Sequence, residues 1–185
     1  VIIFCVKSYQ VTAAMKAVDH LISDNAVIIL THNGLGTLEE INSRLKPSQC
    51  LLALLLTQGA KKVAPYHIKH TGMGHSDLGI IYGTLHSIKQ KQLLELLNKS
   101  LKQLSWQENI QQAQWKKLAI NCVINPISAL NDIENGEVNQ KAYQRMTEDI
   151  ISEVVAVATK EGEILSEILL RQLIHNVAKS TNKNT

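Results

Sequence analysis

Lys117, Asn121 and Asn125 recur at every fourth position in the segment Trp115-Lys116-Lys117-Leu118-Ala119-Ile120-Asn121-Cys122-Val123-Ile124-Asn125-Pro126. On a helix that spacing places an ammonium and two carboxamides on one narrow stripe. The residues between them are mostly apolar, the reverse of the usual surface helix. The pattern predicts polar groups set among buried side chains, where an unpartnered ammonium costs several kcal/mol. A small, anionic, oxygen-rich ligand would relieve that cost. A lysine snorkelling to water, with asparagines bonded to nearby loops, satisfies the same spacing. Pro126 lacks a backbone donor and crowds the carbonyl of Cys122, so the helix is expected to kink or end beside Asn125. Lys116 lies about 100° around the helix from Lys117 and is expected to face solvent.

The elements that must position this stripe follow from hydrophobic runs. Val1 to Val6 and Ala26 to Leu30 are continuous apolar stretches of the kind buried in parallel sheets. Between them, Val11 to Ser23 has helical spacing, which completes a β-α-β unit. Ligands of such sheets sit beyond the carboxyl ends of the strands. Lys7 and the Thr31-His32-Asn33-Gly34 loop fall at that edge. Gly34 and Gly36 allow tight turning and close backbone approach to a ligand. A third strand spans Leu51 to Thr57. His67-Ile68-Lys69-His70 and Leu78-Gly79-Ile80-Ile81 read as antiparallel partners joined by the Gly72-Met73-Gly74 turn.

From Ser87 onward the spacing is helical. Ser87 to Leu104 reads as one helix, followed by the stripe-bearing helix from about Asn109. A helix over Ala142 to Lys160 is expected to be capped by Asn139, with Met146, Ile150, Val154 and Val157 inward. A last helix over Leu165 to Val177 leads into a frayed tail from Lys179 to Thr185. The expectation is therefore an α/β domain over residues 1–86 and an all-α domain over 87–185.

Composition narrows the function classes. The chain has 185 residues, 45% hydrophobic and 19% charged, with a formal charge of +3, ordinary for a globular protein. No like-charge run resembles a nucleic-acid stripe, and no apolar run reaches membrane-spanning length. No segment reads as a signal peptide. Cys5, Cys50 and Cys122 lack metal spacing, and an odd set of thiols in apolar surroundings points to a reducing cytoplasm. His67 and His70 would take opposite faces of a strand, so no metal site is expected. Val1 opens inside a strand, from which upstream sequence is inferred to be missing.

Lys7 after the first strand, His32-Asn33-Gly34-Leu35-Gly36-Thr37, Gln58-Gly59-Ala60, the Lys117-Asn121-Asn125-Pro126 helix and Asn135-Gly136-Glu137 occur in that order. Together they resemble the ketopantoate reductase (2-dehydropantoate 2-reductase) family over nearly the whole chain. The resemblance is strongest at 115–126 and 32–40 and loosest at 61–114. It implies a Rossmann-type domain binding NADPH, then a helical domain, with the active site in the cleft between them. The implied reaction is reduction of 2-dehydropantoate to (R)-pantoate, a step toward pantothenate and coenzyme A. By position, Lys117 resembles the catalytic and substrate-binding lysine. Asn121, Asn125 and Asn135 resemble the substrate-binding asparagines. Lys7, Asn33 and Ala60 resemble cofactor-contacting positions, Asn33 near the reacting centre.

A lysine ammonium stabilises negative charge on a ketone oxygen and delivers its proton, and partial burial beside Leu118 and Ile120 is expected to lower its pKa. The family's Gly-x-Gly-x-x-Gly loop, downstream serine segment and cofactor-binding glutamate have no counterpart here. These departures imply an internal fragment, with the amino-terminal part of the Rossmann-type domain and the carboxyl-terminal part of the helical domain missing. Alone it is expected to bind NADPH poorly. The sequence also admits a related dehydrogenase acting on another 2-oxo or 3-hydroxy acid, or a non-catalytic remnant serving association, and it is compatible with a homo-oligomer. NADPH rather than NADH follows from the family alone.

Overall fold

A computed structural model describes residues 1–182. The chain forms two compact units, Val1–Gln111 and Gln112–Thr185. The first contains strands β1 (Ile2–Phe4), β2 (Val27–Leu30), β3 (Cys50–Leu56), β4 (Gly59–Ala64), β5 (His67–Gly72), β6 (Ser76–Tyr82) and β7 (Leu104–Trp106). Helices α1 (Val11–Val18), α2 (Thr37–Ile41) and α3 (Ser87–Asn98) accompany them, and α4 (Ile110–Asn131) begins here. The second unit carries the rest of α4, α5 (Gln144–Lys160) and α6 (Glu167–Ser180).

Five strands form one sheet in the order β1-β2-β3-β6-β7. β1, β2 and β3 are parallel, with Ile3 opposite Ile29 and Ile29 opposite Leu52. Successive side chains alternate faces. Phe4, Ile28, Leu30 and Leu51 therefore join Val11 and Met15 of α1 and Ile41 of α2 in one core. Ile29, Leu52 and Leu54 join Leu78, Leu93 of α3 and Leu104 in another. A sheet buried on both faces explains why these strands read as unbroken apolar runs.

Three sequence expectations for the sheet-bearing unit change. The segment 87–104 is not one helix: α3 ends at Asn98, and Leu104–Trp106 forms β7, parallel to β6. α3 and β7 thus belong to the sheet, and the units divide between Gln111 and Gln112 rather than after residue 86. β5 does not pair with β6. It folds back on β4 through Pro65 and Tyr66, whose φ is 60°, while β6 lies antiparallel to β3. Leu78 and Ile80 find apolar partners there that the fully exposed β5 cannot supply.

The helical core consists of Ala119, Val123 and Ile127 of α4, Ile151 and Ala158 of α5, and Leu170, Ile174 and Ala178 of α6. α4 does not end at Pro126 but continues to Asn131. Near its end, Ser128 Oγ donates to the Asn125 carbonyl (3.2 Å) and Asn131 Nδ2 to that of Ile127 (2.8 Å). The inward face of α5 centres on Ile151 and Ala158; Ile150 and Val154 pack against this core as expected, whereas Met146 and Val157 are exposed at 45% and 52%. Asn139 caps no helix; its side chain donates to the His175 carbonyl, and α5 starts at Gln144 after a 3-10 turn. α6 runs from Glu167 to Ser180, capped by Ser166, and so includes Lys179. Of the expected frayed tail, residues 183–185 lie outside the described residues.

Ile151 is fully buried among all three helices. Ile151→Ala is expected to cost about 2–5 kcal/mol in urea unfolding, from lost transfer energy and the cavity left behind. Burial pushes the Cys50 and Cys122 thiols up from their ordinary value. Above that value the native state retains protons that the unfolded chain has lost, so stability falls as pH rises. Unfolding midpoints measured across the alkaline range should decline, and less steeply in Cys50→Ala/Cys122→Ala.

Candidate functional site

The carboxyl ends of β1 and β2 are tied together by Thr31, whose N–H and hydroxyl both donate to the Phe4 carbonyl at 3.3 and 3.2 Å. The chain leaves β1 through a turn in which Gln10 N–H donates to the Lys7 carbonyl (2.9 Å). Lys7 N–H donates in return to Gln10 Oε1 (3.1 Å). These reciprocal bonds satisfy backbone groups that a turn otherwise leaves to water. Beyond β2, His32 Nδ1 contacts the Asn33 carbonyl at 3.1 Å. A hydrogen on that nitrogen makes Nε2 an acceptor, and Nε2 is buried with no partner among the described residues.

These two segments enclose a cavity of about 520 Å³ lined by Cys5, Val6, Lys7, Ser8, Tyr9, Gln10, Thr31, His32 and Asn33. Its volume lies in the range of small-molecule sites. Lys7 and Asn33, drawn from separate loops, line the same cavity. Ala60 does not line it; it is exposed on β4, opposite His70. Tyr9 and Gln10 were not singled out from sequence, though Gln10 three residues after Lys7 has the spacing of a reciprocal cap. Gly34 and Gly36 adopt φ of 98° and 89°, and a Cβ at either would meet no atom of the described residues within 4 Å. Within the protein their requirement is conformational.

On α4, Lys117 and Asn121 are half-buried and Asn125 is exposed. At 100° per residue, the centre of their stripe lies about 160° from that of Ala119, Val123 and Ile127. The stripe therefore lies opposite the helical core instead of being sunk within it. Of the flanking apolar residues, Ala119, Val123 and Ile124 are buried, whereas Leu118, Ile120 and Cys122 are half-buried. Lys116, expected to face solvent, is also half-buried, with Nζ donating to Gln112 Oε1 at 2.8 Å. Asn135 stands on a separate 3-10 turn, and its amide donates to Thr181 Oγ1 at 3.2 Å. Glu137 closes that turn by accepting from the Glu134 N–H at 3.1 Å. Among the described residues no group of three or more His, Cys, Asp or Glu could hold a metal ion, and no helix is long and apolar enough to cross a membrane.

Two family models match the chain: ketopantoate reductase PanE/ApbA over residues 1–83 and ketopantoate reductase PanE/ApbA C terminal over residues 109–185. The 2-dehydropantoate 2-reductase of Yersinia pestis is 32% identical over 184 residues, covering 100% of this chain and 58% of the relative. That of Vibrio cholerae is 30% identical over 183 residues, covering 99% and 61%. The chain thus spans about three-fifths of the length of these relatives. Two solved structures share the fold. A PanE/ApbA family ketopantoate reductase from Ralstonia eutropha JMP134 has a TM-score of 0.82 at 23% identity, covering 99% of this chain and 59% of that one. D-mandelate dehydrogenase with NADH and anilino(oxo)acetate has a TM-score of 0.85 at 19% identity, with the same coverage.

Cys5 is exposed on the cavity wall, whereas Cys50 and Cys122 are buried and half-buried, with thiols pushed up by burial. Only a thiolate reacts readily with an electrophile. Limiting N-ethylmaleimide at neutral pH should label Cys5 first, as read by peptide mass mapping.

Proposed function

This chain belongs to the ketopantoate reductase family, and on that premise we propose that the protein reduces 2-dehydropantoate to (R)-pantoate with NADPH in the cytoplasm, as a step toward pantothenate and coenzyme A. The observation that carries the reading is the placement of Lys7 and Asn33 on one cavity at the carboxyl ends of two parallel strands, where α/β sheets receive dinucleotides. The donor set fits such a ligand: an ammonium, two carboxamides, three hydroxyls and an imidazole surround the cavity. NADPH would supply the hydride. Lys7, Asn33 and Ala60 are proposed to contact it, Asn33 closest to the reacting centre.

In this reading Lys117 bonds the C2 carbonyl oxygen and donates a proton there as negative charge builds. Asn121, Asn125 and Asn135 hold the substrate hydroxyl and carboxylate, supplying donors and acceptors without adding charge. The position of the Lys117–Asn121–Asn125 stripe, opposite the helical core, supports the assignment because none of the three is part of the apolar packing among α4, α5 and α6. Asn135 retains its carbonyl for substrate while its amide reaches Thr181.

The test is NADPH oxidation with 2-dehydropantoate by the protein in its complete natural form, beside Lys117→Ala. The variant should lose roughly 10²–10⁴-fold in kcat while its unfolding midpoint stays close to the parent's, the range expected for a positioned general acid. Equal turnover in both would remove Lys117 from the mechanism. A panel of other 2-oxo acids, each with NADPH and NADH, identifies substrate and cofactor; preference for another acid would replace 2-dehydropantoate with it.

A further inference from the structure

The β4–β5 ribbon is a sheet of its own, separate from the five-stranded sheet. Among the described residues its two strands pair only with each other, and Ala60 to Ala64 and His67 to Gly72 are exposed. No Asp or Glu occurs between Glu40 and Asp77, whereas the ribbon carries Lys61, Lys62 and Lys69. Nineteen Lys and Arg face sixteen Asp and Glu in the whole chain, so outside the ribbon the two signs balance. All of the formal excess charge sits here.

Lys61 and Lys69 are directly opposite one another across the ribbon. Like charges in that position destabilise a strand pair, and a lone two-stranded ribbon is marginal to begin with. His67 lies two residues from Lys69 and shares its face. The ribbon follows β3 after Thr57 and Gln58, and β3 is parallel to β2. It is therefore rooted at the same sheet edge as the cavity. From the root pair Gly59–Gly72, the lysine pair stands two residues along β4, roughly 7 Å at the rise of a strand. The field of an exposed charge decays over about 10 Å at 0.1 M salt and over less as salt rises.

We propose that this ribbon is an anion-capture arm: its Lys61–Lys69 face draws the phosphate-bearing dinucleotide to the carboxyl-end edge of the sheet. The inference rests on the cofactor reading above and adds to it a kinetic role for residues outside the cavity. Focused positive potential raises the encounter rate of an anionic ligand and loses its effect as salt rises. Lysines on exposed strands also keep open edges from pairing with other chains, a role that predicts no such rate effect.

The experiment measures NADPH association by stopped-flow fluorescence over a range of ionic strength, using the protein in its complete natural form. The parent is compared with Lys61→Gln/Lys69→Gln and with the charge-keeping Lys61→Arg/Lys69→Arg. Removing the opposed charges relieves repulsion, so the glutamine variant is expected to fold at least as well as the parent. Its association rate should fall roughly three- to tenfold at low salt and converge with the parent's at high salt. The arginine variant should follow the parent, and NADH, with fewer negative charges, should respond less. An unchanged rate and salt slope in the glutamine variant, with NADPH binding normally, overturns the capture arm alone and leaves edge protection as the lysines' role. If the parent binds no NADPH, the cofactor reading and this inference fall together.

Discussion

Parallel pairing of β1, β2 and β3, buried on both faces, is the constraint on which the candidate cofactor site depends. Parallel strands cannot be joined by tight turns, so each return crosses over the sheet. All three carboxyl ends then emerge at one edge, bringing together polar segments that are far apart in sequence. Thr31 binds the Phe4 carbonyl twice at this edge. Because the apolar strands carry the packing, the loops between them are free to hold Lys7, Tyr9, Gln10, His32 and Asn33 around a cavity.

The helical unit solves a related problem within one element. α4 buries Ala119, Val123 and Ile127 against α5 and α6, which leaves its opposite side for Lys117, Asn121 and Asn125. An ammonium inside the core would carry a desolvation cost of several kcal/mol. On the far side, where Lys117 and Asn121 are half-buried and Asn125 is exposed, that cost is smaller. The apolar side of α5 is broader than its buried strip: Ile150 and Val154 pack beside Ile151 and Ala158, while Met146 and Val157 lie exposed beyond them. Its periodicity alone therefore does not identify the buried face.

Much of this arrangement was legible from residues. Unbroken apolar runs and a helical segment between them located the β-α-β unit, because burial on both faces leaves no room for polar alternation. The carboxyl-end rule then placed Lys7 and Asn33 at a common edge, and four-residue spacing placed Lys117, Asn121 and Asn125 on one stripe. These inferences succeed because each depends on local geometry or on a topology with few alternatives. Ala60 was recognised by resemblance, and the fold puts it on an exposed ribbon strand outside the cavity.

Strand partnership was not legible. His67–Gly72 has the local character of a strand, but its choice of β4 over β6 depends on burial: Leu78 and Ile80 need the apolar face of β3, and the exposed ribbon cannot provide it. β7 is three residues long, too short for a period, and exists because the edge of β6 stabilises it. The amino-acid sequence by itself determined which segments must be buried and which polar groups share a strand edge or helix face, since those follow from chain geometry and hydrophobic period. The tertiary structure alone decided which strands pair, how far the apolar side of α5 is covered, and that the α4 polar stripe lies away from the core, because each requires the competing partners to be compared in space.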